Sequence, residues 1–152
     1  MREAGEETAL TRIDKPQDGQ TFEQFIQKRL DYAKGVNLAE GHVPSTELWL
    51  IDEGGFIGWV SIRHRLNEQL SKIGGHIGYW IRPSKRNKGY GTTILKLALG
   101  EAKKLGIEKA LVTCDENNTG SRKIIEANGG VLESVPDSAS GMPQKCRYWV
   151  TL

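Results

Sequence analysis

A glycine-rich turn between a strand-like run and a helix-like run constrains the fold of this chain more than any other feature. The turn is SKRNKGYGTT, residues 84–93, and three of its side chains, Lys85, Arg86 and Lys88, are cationic. The first turn of a helix presents backbone N–H groups without intrahelical partners, and glycine lets an anion approach them closely. The sequence therefore predicts a phosphate site at the N-terminus of the following helix.

The chain before this turn has the pattern of a capped helix followed by an antiparallel meander. Thr21 and Gln24 form a capping-box pair at the start of a predicted helix over Phe22–Lys34. The period then changes to that of strands, with a hairpin turn at Asp52–Gly55. We expect strands at Glu47–Ile51, Phe56–His64 and His76–Ile81.

The chain after the turn has the pattern of a helical crossover. A strongly periodic helix is predicted over Thr92–Leu105, followed by a strand at Lys109–Cys114. Because a helix connects them, this strand is expected to lie parallel to the strand before the turn. Asn118 caps a short predicted helix, and the last predicted strands are Val131–Val135 and Cys146–Leu152.

The composition is that of one soluble globular domain spanning residues 1–152, in which residues 1–20 are predicted to be a loop or a frayed helix. The net charge of +2 is too small for a nucleic-acid-binding protein. No secretory signal opens the chain, and no apolar run approaches the ~20 residues that span a bilayer. With two cysteines, Cys114 and Cys146, the sequence favours a cytoplasmic protein without a metal, a membrane or a nucleic-acid partner.

The turn can be compared with three phosphate-binding motifs. The chain has no string that matches the P-loop, G-x-x-x-x-G-K-[ST]. The dinucleotide fingerprint G-x-G-x-x-G fails at its third glycine, because Gly89–Gly91 is followed by Thr92–Ile94. The third pattern, R-x-x-G-x-G between a strand and a helix, is matched by Arg86–Gly91.

The run IGYWIRPSKRNKGYGTTILKLAL and the later DENNTGSRKIIEANGG resemble the acyl-CoA signature of the GNAT superfamily of N-acetyltransferases. The likeness covers about residues 45–152. It is closest to bacterial members of the family that have an IRHxLN string, which this chain has at Ile62–Asn67. It implies an α/β (α+β) fold, a mixed and mostly antiparallel twisted sheet with flanking helices and a βαβ acyl-CoA-binding core. It also implies acetyl-CoA as cosubstrate.

The resemblance implies a specific role for each part of the signature. Backbone groups at the end of the strand would bind the pantetheine arm, and amides of the turn would bind the CoA pyrophosphate. Asn118 and Ser121 match the family's Asn-x-x-Ser, which reaches the cofactor, although Asn118 could also simply cap its helix. The residues implied for cofactor binding are Trp80, Ile81, Arg82, Arg86, Asn87, Lys88, Gly89, Tyr90, Gly91, Thr92, Asn118 and Ser121.

Acetyl transfer to an amine requires a base, because an alkylamine with a pKa near ~10.4 is mostly protonated at neutral pH. Many members of the family place a carboxylate where this chain has His76, and an imidazole suits the task. His64 is the second candidate, because a loop closing about Leu70 would place it opposite His76 on one sheet face. Either histidine could instead be structural. Weaker alternatives are Glu47 and Glu116.

Ile125 occupies the position at which the family frequently has a tyrosine that protonates the departing thiolate. Tyr148 and Cys114 are candidates to replace that acid. The resemblance implies an N-acetyltransferase that moves an acetyl group to a primary amine by direct attack in a ternary complex. The alternative is a non-catalytic acyl-CoA-binding module. The sequence does not specify the acceptor, which the first helix and loops 65–75 and 136–145 would contact, and it allows a homodimer.

Overall fold

The computed structural model of the protein describes residues 16–134 and 145–152. Most of the polar segment over residues 1–20 and of the predicted loop over residues 136–145 therefore lies outside the described residues. In chain order the elements are α1 (Phe22–Ala33), β1 (Ser45–Asp52), β2 (Gly55–Arg63), α2 (Glu68–Lys72), β3 (Ile77–Ile81), a 3-10 turn (Pro83–Lys85), α3 (Tyr90–Lys104), β4 (Lys109–Asp115), α4 (Thr119–Ala127), β5 (Val131–Ser134) and β6 (Lys145–Thr151).

Local sequence patterns account for most of these boundaries. The capping box at Thr21 and Gln24 is present, as predicted, and Asn118 caps α4. Helix α3 begins at Tyr90, two residues earlier than expected, and the loop after β2 contains the short helix α2, which Asn67 caps.

The strands form two three-stranded antiparallel sheets, with strand orders β1-β2-β3 and β4-β6-β5. The predicted antiparallel meander is thus confirmed. Strand β4 was expected to lie parallel to β3; the two strands belong to different sheets and form no ladder with each other. Within residues 16–134 and 145–152 the two sheets join at one isolated bridge, between Gly75 and Val112. A side chain at position 75 would collide with β4, because its Cβ would lie 2.3 Å from the Leu111 carbonyl oxygen.

The register of β2 against β3 differs by one residue from the sequence-based expectation. The backbone N–H of Arg63 donates to the His76 carbonyl oxygen at 2.7 Å, so Arg63, and not His64, is the partner of His76. The loop between β2 and β3 therefore closes midway between Gln69 and Leu70, and not about Leu70 as expected. Because side chains alternate along a strand, a shift of one residue exchanges the two faces. The expected pairing of His64 with His76 on one face is therefore wrong.

The core lies between the sheets and helices α3 and α4. Large side chains with under 2% exposure come from every part of it: Ile62, Ile77, Leu95, Leu111, Ile125 and Tyr148. Burying such a side chain contributes roughly 1.5–3 kcal/mol. This packing fixes the start of α3 against the end of β3, which is where the sequence predicts the phosphate site.

Helix α1 packs on β1, on the sheet side away from α3. Phe25 is its buried anchor, and the Arg29 guanidinium lies over the Phe25 ring. Arg29 also pairs with the Glu47 carboxylate at 3.2 Å. Glu47, a weaker candidate for the catalytic base, is thus held in an ion pair in this structure.

Candidate active site

The edge of β3 that faces away from β2 is the first component of the site. Hydrogen bonds from the Arg63 N–H to the His76 carbonyl and from the Arg82 N–H to the Ile57 carbonyl fix the alternation of the ladder. Even-numbered residues of β3 therefore face β2 with their backbone groups, and odd-numbered residues face the other edge. No described strand pairs with that edge. Its residues are Ile77, Tyr79 and Ile81.

This alternation revises the predicted contacts to the pantetheine arm. The Arg82 amide already binds Ile57 at 2.8 Å, and the backbone of Trp80 faces β2. The Ile81 carbonyl accepts a hydrogen bond from Nε of Arg86 at 3.0 Å. What the edge offers a ligand is the amide of Ile81 together with both backbone groups of Tyr79, a residue that the sequence analysis did not include.

Strand β4 turns an equivalent edge towards β3. The Leu152 N–H donates to the Glu108 carbonyl, which places even-numbered residues of β4 against β6 and odd-numbered residues on the opposite edge. Leu111 uses this edge to bind His76. We call the space between β3 and β4 beyond this link the interstrand gap; it is bounded by residues 77–81 and 112–115.

The glycine turn reaches α3 with a geometry that suits an anion. Gly89 is the N-cap residue and adopts the left-handed conformation, with φ of 84°, and no side chain caps the helix. The Thr93 N–H donates to the Gly89 carbonyl, so the amides of residues 90–92 have no partner within the helix. These amides and the positive end of the helix dipole together favour a bound phosphate.

Gly91 has a second role that the sequence motif does not reveal. A Cβ atom at this position would lie 2.4 Å from Cδ1 of Ile124 in α4. Asn128 adds a hydrogen bond from its side-chain amide to the Thr92 carbonyl at 3.2 Å. The absence of a side chain at Gly91 thus lets α4 pack against the first turn of α3.

The three cations of the turn, Lys85, Arg86 and Lys88, differ in their contacts. Lys85 lies 3.6 Å from the Asp52 carboxylate, which also accepts a hydrogen bond from the Tyr90 hydroxyl. Arg86 donates a hydrogen bond from Nε to the Ile81 carbonyl at the end of β3, and its guanidinium carbon lies 6.0 Å from the centroid of the Trp80 ring. Lys88 is exposed and has no ion-pair partner among the described residues. Lys88 is therefore the cation most available to a phosphate.

Asn118 and Ser121 lie at the start of α4, which follows the β4 side of the interstrand gap. The Asn118 side-chain oxygen accepts a hydrogen bond from the Ser121 N–H at 3.0 Å, so the capping role is observed. The amide nitrogen of Asn118 takes no part in this bond. It can therefore contact a ligand while the cap stays intact.

His76 connects the two sheets. Its N–H donates to the Leu111 carbonyl at 2.7 Å, and its Nδ1 accepts a hydrogen bond from the Leu111 N–H at 2.9 Å. Burial and the neighbouring Arg63 lower the pKa of His76, so the ring is neutral, with its proton on Nε2. The lone pair that a base needs is engaged by Leu111. The geometry therefore gives His76 a structural role instead of the predicted catalytic one.

His64 lies on the β1 side of the sheet. Its Nε2 is 2.8 Å from Oγ1 of Thr46, and its backbone N–H donates to the Pro44 carbonyl. Burial lowers the pKa of His64, so the imidazole is neutral at pH 7. The structure does not bring His64 and His76 together.

The two candidates for the general acid, Tyr148 and Cys114, are also buried residues without a free acidic proton. The Tyr148 hydroxyl donates to the Glu126 carboxylate at 2.9 Å and accepts from Nε of Arg122 at 3.1 Å, so its proton is already engaged. Burial raises the pKa of the Cys114 thiol to about 11, with a further contribution from Cys146. Such a thiol is an inert core residue. Ile125, at the family's tyrosine position, is completely buried.

The Tyr79 hydroxyl is a further feature of the site that the sequence did not predict. The oxygen is buried and has no hydrogen-bond partner among residues 16–134 and 145–152. Burial raises the pKa of Tyr79 to about 12; Ser121 lies close enough to oppose this shift, though outside hydrogen-bonding geometry, and Cys114 adds to it. An unsatisfied buried hydroxyl is costly, which marks this atom as a place for a ligand.

Other classes of site are not seen in the described part of the chain. Residues 16–134 and 145–152 contain no group of three or more side chains able to hold a metal ion. None of the helices in these residues combines the length and apolar character needed to cross a membrane.

Structural comparison gives 108 matching chains, and acetyltransferases are prominent among them. RimL, a ribosomal L7/L12 alpha-N-protein acetyltransferase in complex with coenzyme A, has a TM-score of 0.64 at 18% identity, over 92% of this chain and 78% of that one. A variant of spermidine N-acetyltransferase SpeG from Vibrio cholerae has a TM-score of 0.62 at 17% identity, over 95% and 85%. A putative ribosomal-protein-serine acetyltransferase from Vibrio cholerae has a TM-score of 0.60 at 20% identity, over 95% and 81%.

At these identities the structural likeness establishes the fold. No curated protein matches the chain in sequence. The model of the acetyltransferase (GNAT) domain family, however, matches residues 4–131, which include the interstrand gap, the glycine turn and helices α3 and α4. The chain therefore belongs to the acetyltransferase (GNAT) domain family of acetyl-CoA-dependent enzymes.

Proposed function

We propose that this protein moves the acetyl group of acetyl-CoA to a primary amine by direct attack within a ternary complex. The observation that carries the proposal is the continuity of two unpaired backbone surfaces. The open edge of β3 leads through the 3-10 turn Pro83–Lys85 directly to the uncapped start of α3. An extended amide-bearing arm joined to a pyrophosphate is the kind of ligand that matches both surfaces.

In this proposal the pyrophosphate binds the amides of residues 90–92, with Lys88 supplying positive charge. The pantetheine arm lies in the interstrand gap and pairs with the backbone of Tyr79 and Ile81, as an added strand would. The thioester carbonyl gains negative charge during attack, and a backbone N–H of the same edge can stabilise it. Asn118 contributes its side-chain amide from the β4 side.

His64 is the base that we propose, acting through water because its ring lies beside β1. Its lowered pKa keeps it able to accept a proton at neutral pH. His64→Gln should reduce turnover about 10²-fold or more, the range for loss of a general base, while acetyl-CoA affinity stays unchanged. Wild-type turnover in this variant would remove His64 from the mechanism.

A non-catalytic acyl-CoA-binding module is the competing proposal. The aliphatic Ile125 and the structural roles of His76 and Tyr148 favour it, because none of these three positions then supplies an acid or a base. Such a module needs the glycine turn and the β3 edge, but no base. The two proposals therefore differ in turnover and agree in acetyl-CoA binding.

A screen of amines with acetyl-CoA separates them. The panel should include spermidine, a peptide with a free N-terminus, amino sugars and small amines. The first two are chosen because a spermidine N-acetyltransferase and an alpha-N-protein acetyltransferase share this fold. We expect at least one amine to give CoA release that equals the acetylated amine found by mass spectrometry. Tight acetyl-CoA binding without turnover of any amine would favour the binding module.

A further inference from the structure

We propose that the Tyr79 hydroxyl donates a hydrogen bond to the sulfur of CoA, and that Tyr79 thereby stabilises the thiolate that leaves during acetyl transfer. This inference rests on the proposed function. It assigns the stabilisation of the thiolate to a side chain of β3. Helix α4 cannot supply this group at the family's tyrosine position, because Ile125 is aliphatic and completely buried.

The hydroxyl is placed for a ligand of the interstrand gap. Tyr79 belongs to β3, and its ring packs at the margin of the core. Ser121 at the start of α4 and Cys114 in β4 lie close enough to its oxygen to influence its pKa. The ring therefore reaches from one wall of the gap towards the other.

The length of the gap places the sulfur near this hydroxyl. Along β3 the gap runs from Ile81, beside the glycine turn, to Ile77, and the His76–Leu111 link closes it. At about 3.3 Å per residue these five residues span roughly 16 Å. A pantetheine arm that enters at the turn points its sulfur towards the closed end. The terminal part of the arm, which carries the sulfur, therefore lies beside Tyr79.

The chemistry of a buried tyrosine fits a donor to a thiolate. Since burial favours the neutral form, the phenol keeps its proton at pH 7 and remains a hydrogen-bond donor. The buried oxygen has no acceptor among the described residues, so a sulfur anion would satisfy it. The buried hydroxyl of Tyr148, by contrast, has two partners.

The reaction step balances as follows. The lone pair of the neutral amine forms the new C–N bond, and the electron pair of the C–S bond leaves on sulfur. The nitrogen loses one proton to the base, and the thiolate accepts the Tyr79 hydrogen bond until it takes up one proton from water. The products are one amide and one CoA thiol, with no net release of protons.

Binding of CoA and of desulfo-CoA, which lacks the sulfur, tests the proposal without an acceptor. Tyr79→Phe removes the hydroxyl and keeps the ring, and Tyr32→Phe is the matched control, because the Tyr32 hydroxyl binds the Ala39 amide far from the gap. In wild type and in Tyr32→Phe, the thiol pKa of bound CoA, followed by thiolate absorbance, should be lower than in Tyr79→Phe by about one unit or more. Above that pKa, Tyr79→Phe should weaken binding of CoA about tenfold and leave desulfo-CoA unaffected.

Two results would overturn the assignment of Tyr79. One is an unchanged thiol pKa in Tyr79→Phe; the other is an equal loss of affinity for CoA and desulfo-CoA, which would mean that the hydroxyl holds another part of the arm. Failure of wild type to bind either ligand would overturn the proposed function itself. Thermal melts of both variants show whether each one folds, and Tyr79→Leu, which also lacks the hydroxyl, replaces Tyr79→Phe if that variant does not.

Discussion

Nδ1 of His76 accepts a hydrogen bond from the backbone N–H of Leu111 at 2.9 Å, while the His76 N–H donates to the Leu111 carbonyl. At the same residue the carbonyl of His76 still belongs to the β2–β3 ladder, because it accepts from Arg63. One residue thus carries hydrogen bonds to both sheets. Beyond it β3 stays with β2, and the interstrand gap opens.

His76 should therefore be a determinant of stability. His76→Leu leaves the buried Leu111 N–H without its acceptor, which should lower the free energy of unfolding by about 1–3 kcal/mol in urea denaturation. The folded-state pKa of His76 lies below its unfolded value of ~6.5, so the unfolded state binds more protons as pH falls through that range. Wild-type stability is then retained above about pH 6.5 and lost below it. The variant should show a shallower loss; an unchanged pH dependence would refute this role.

Gly89 should be required for its backbone conformation and not for space. Its φ is 84° and no atom lies within 4 Å of a Cβ built there, so Gly89→Ala should cost about 1 kcal/mol of stability and weaken CoA binding. Gly100→Ala is the matched control in the same helix, since that position is also open but helical. The control should be more stable than wild type by roughly 0.5–1 kcal/mol. Equal CoA affinities of the two variants would contradict an anion site at the turn.

Lys88 should contribute to CoA affinity through its charge. Lys88→Gln should weaken CoA binding several-fold at low salt, and the difference from wild type should shrink as ionic strength rises. Lys96→Gln is the control, because Lys96 is an exposed cation farther along α3. Isothermal titration at two salt concentrations measures both effects. The prediction fails if the two lysine variants bind CoA with equal affinity.

Asn118 should act both as a cap and as a ligand-binding group. Asn118→Ala should cost about 1 kcal/mol of stability, whereas Asn118→Ser keeps a capping oxygen and should stay near wild type. Both variants lack the side-chain amide nitrogen, so both should bind CoA several-fold more weakly. If Asn118→Ser binds CoA as wild type does, Asn118 is a cap alone.

Local patterns in the sequence predicted the elements that frame the site. The capping box at Thr21, the cap at Asn118 and the glycine turn each have a short-range cause, and all three are present in the structure. The positions of the strands that flank the turn were also predictable from their period. These features depend on residues that are close in sequence.

The pairing of the candidate catalytic residues was not predictable in the same way. The observed β2–β3 register differs by one residue from that of a loop closing about Leu70, which places Arg63 instead of His64 opposite His76. The link from His76 to Leu111 joins residues 35 positions apart, so no local pattern indicates it. The unsatisfied hydroxyl of Tyr79 is likewise visible only once α4 and β4 are in place.

The central claim is that acetyl-CoA binds the odd-numbered edge of β3 and the first turn of α3. Amide hydrogen exchange followed by NMR, with and without acetyl-CoA, tests it residue by residue. We predict slower exchange at Tyr79 and Ile81 and at residues 90–92 when acetyl-CoA is bound, with Trp80 unchanged because its backbone already faces β2. Binding of acetyl-CoA with unchanged exchange at Tyr79, Ile81 and residues 90–92 would contradict the account.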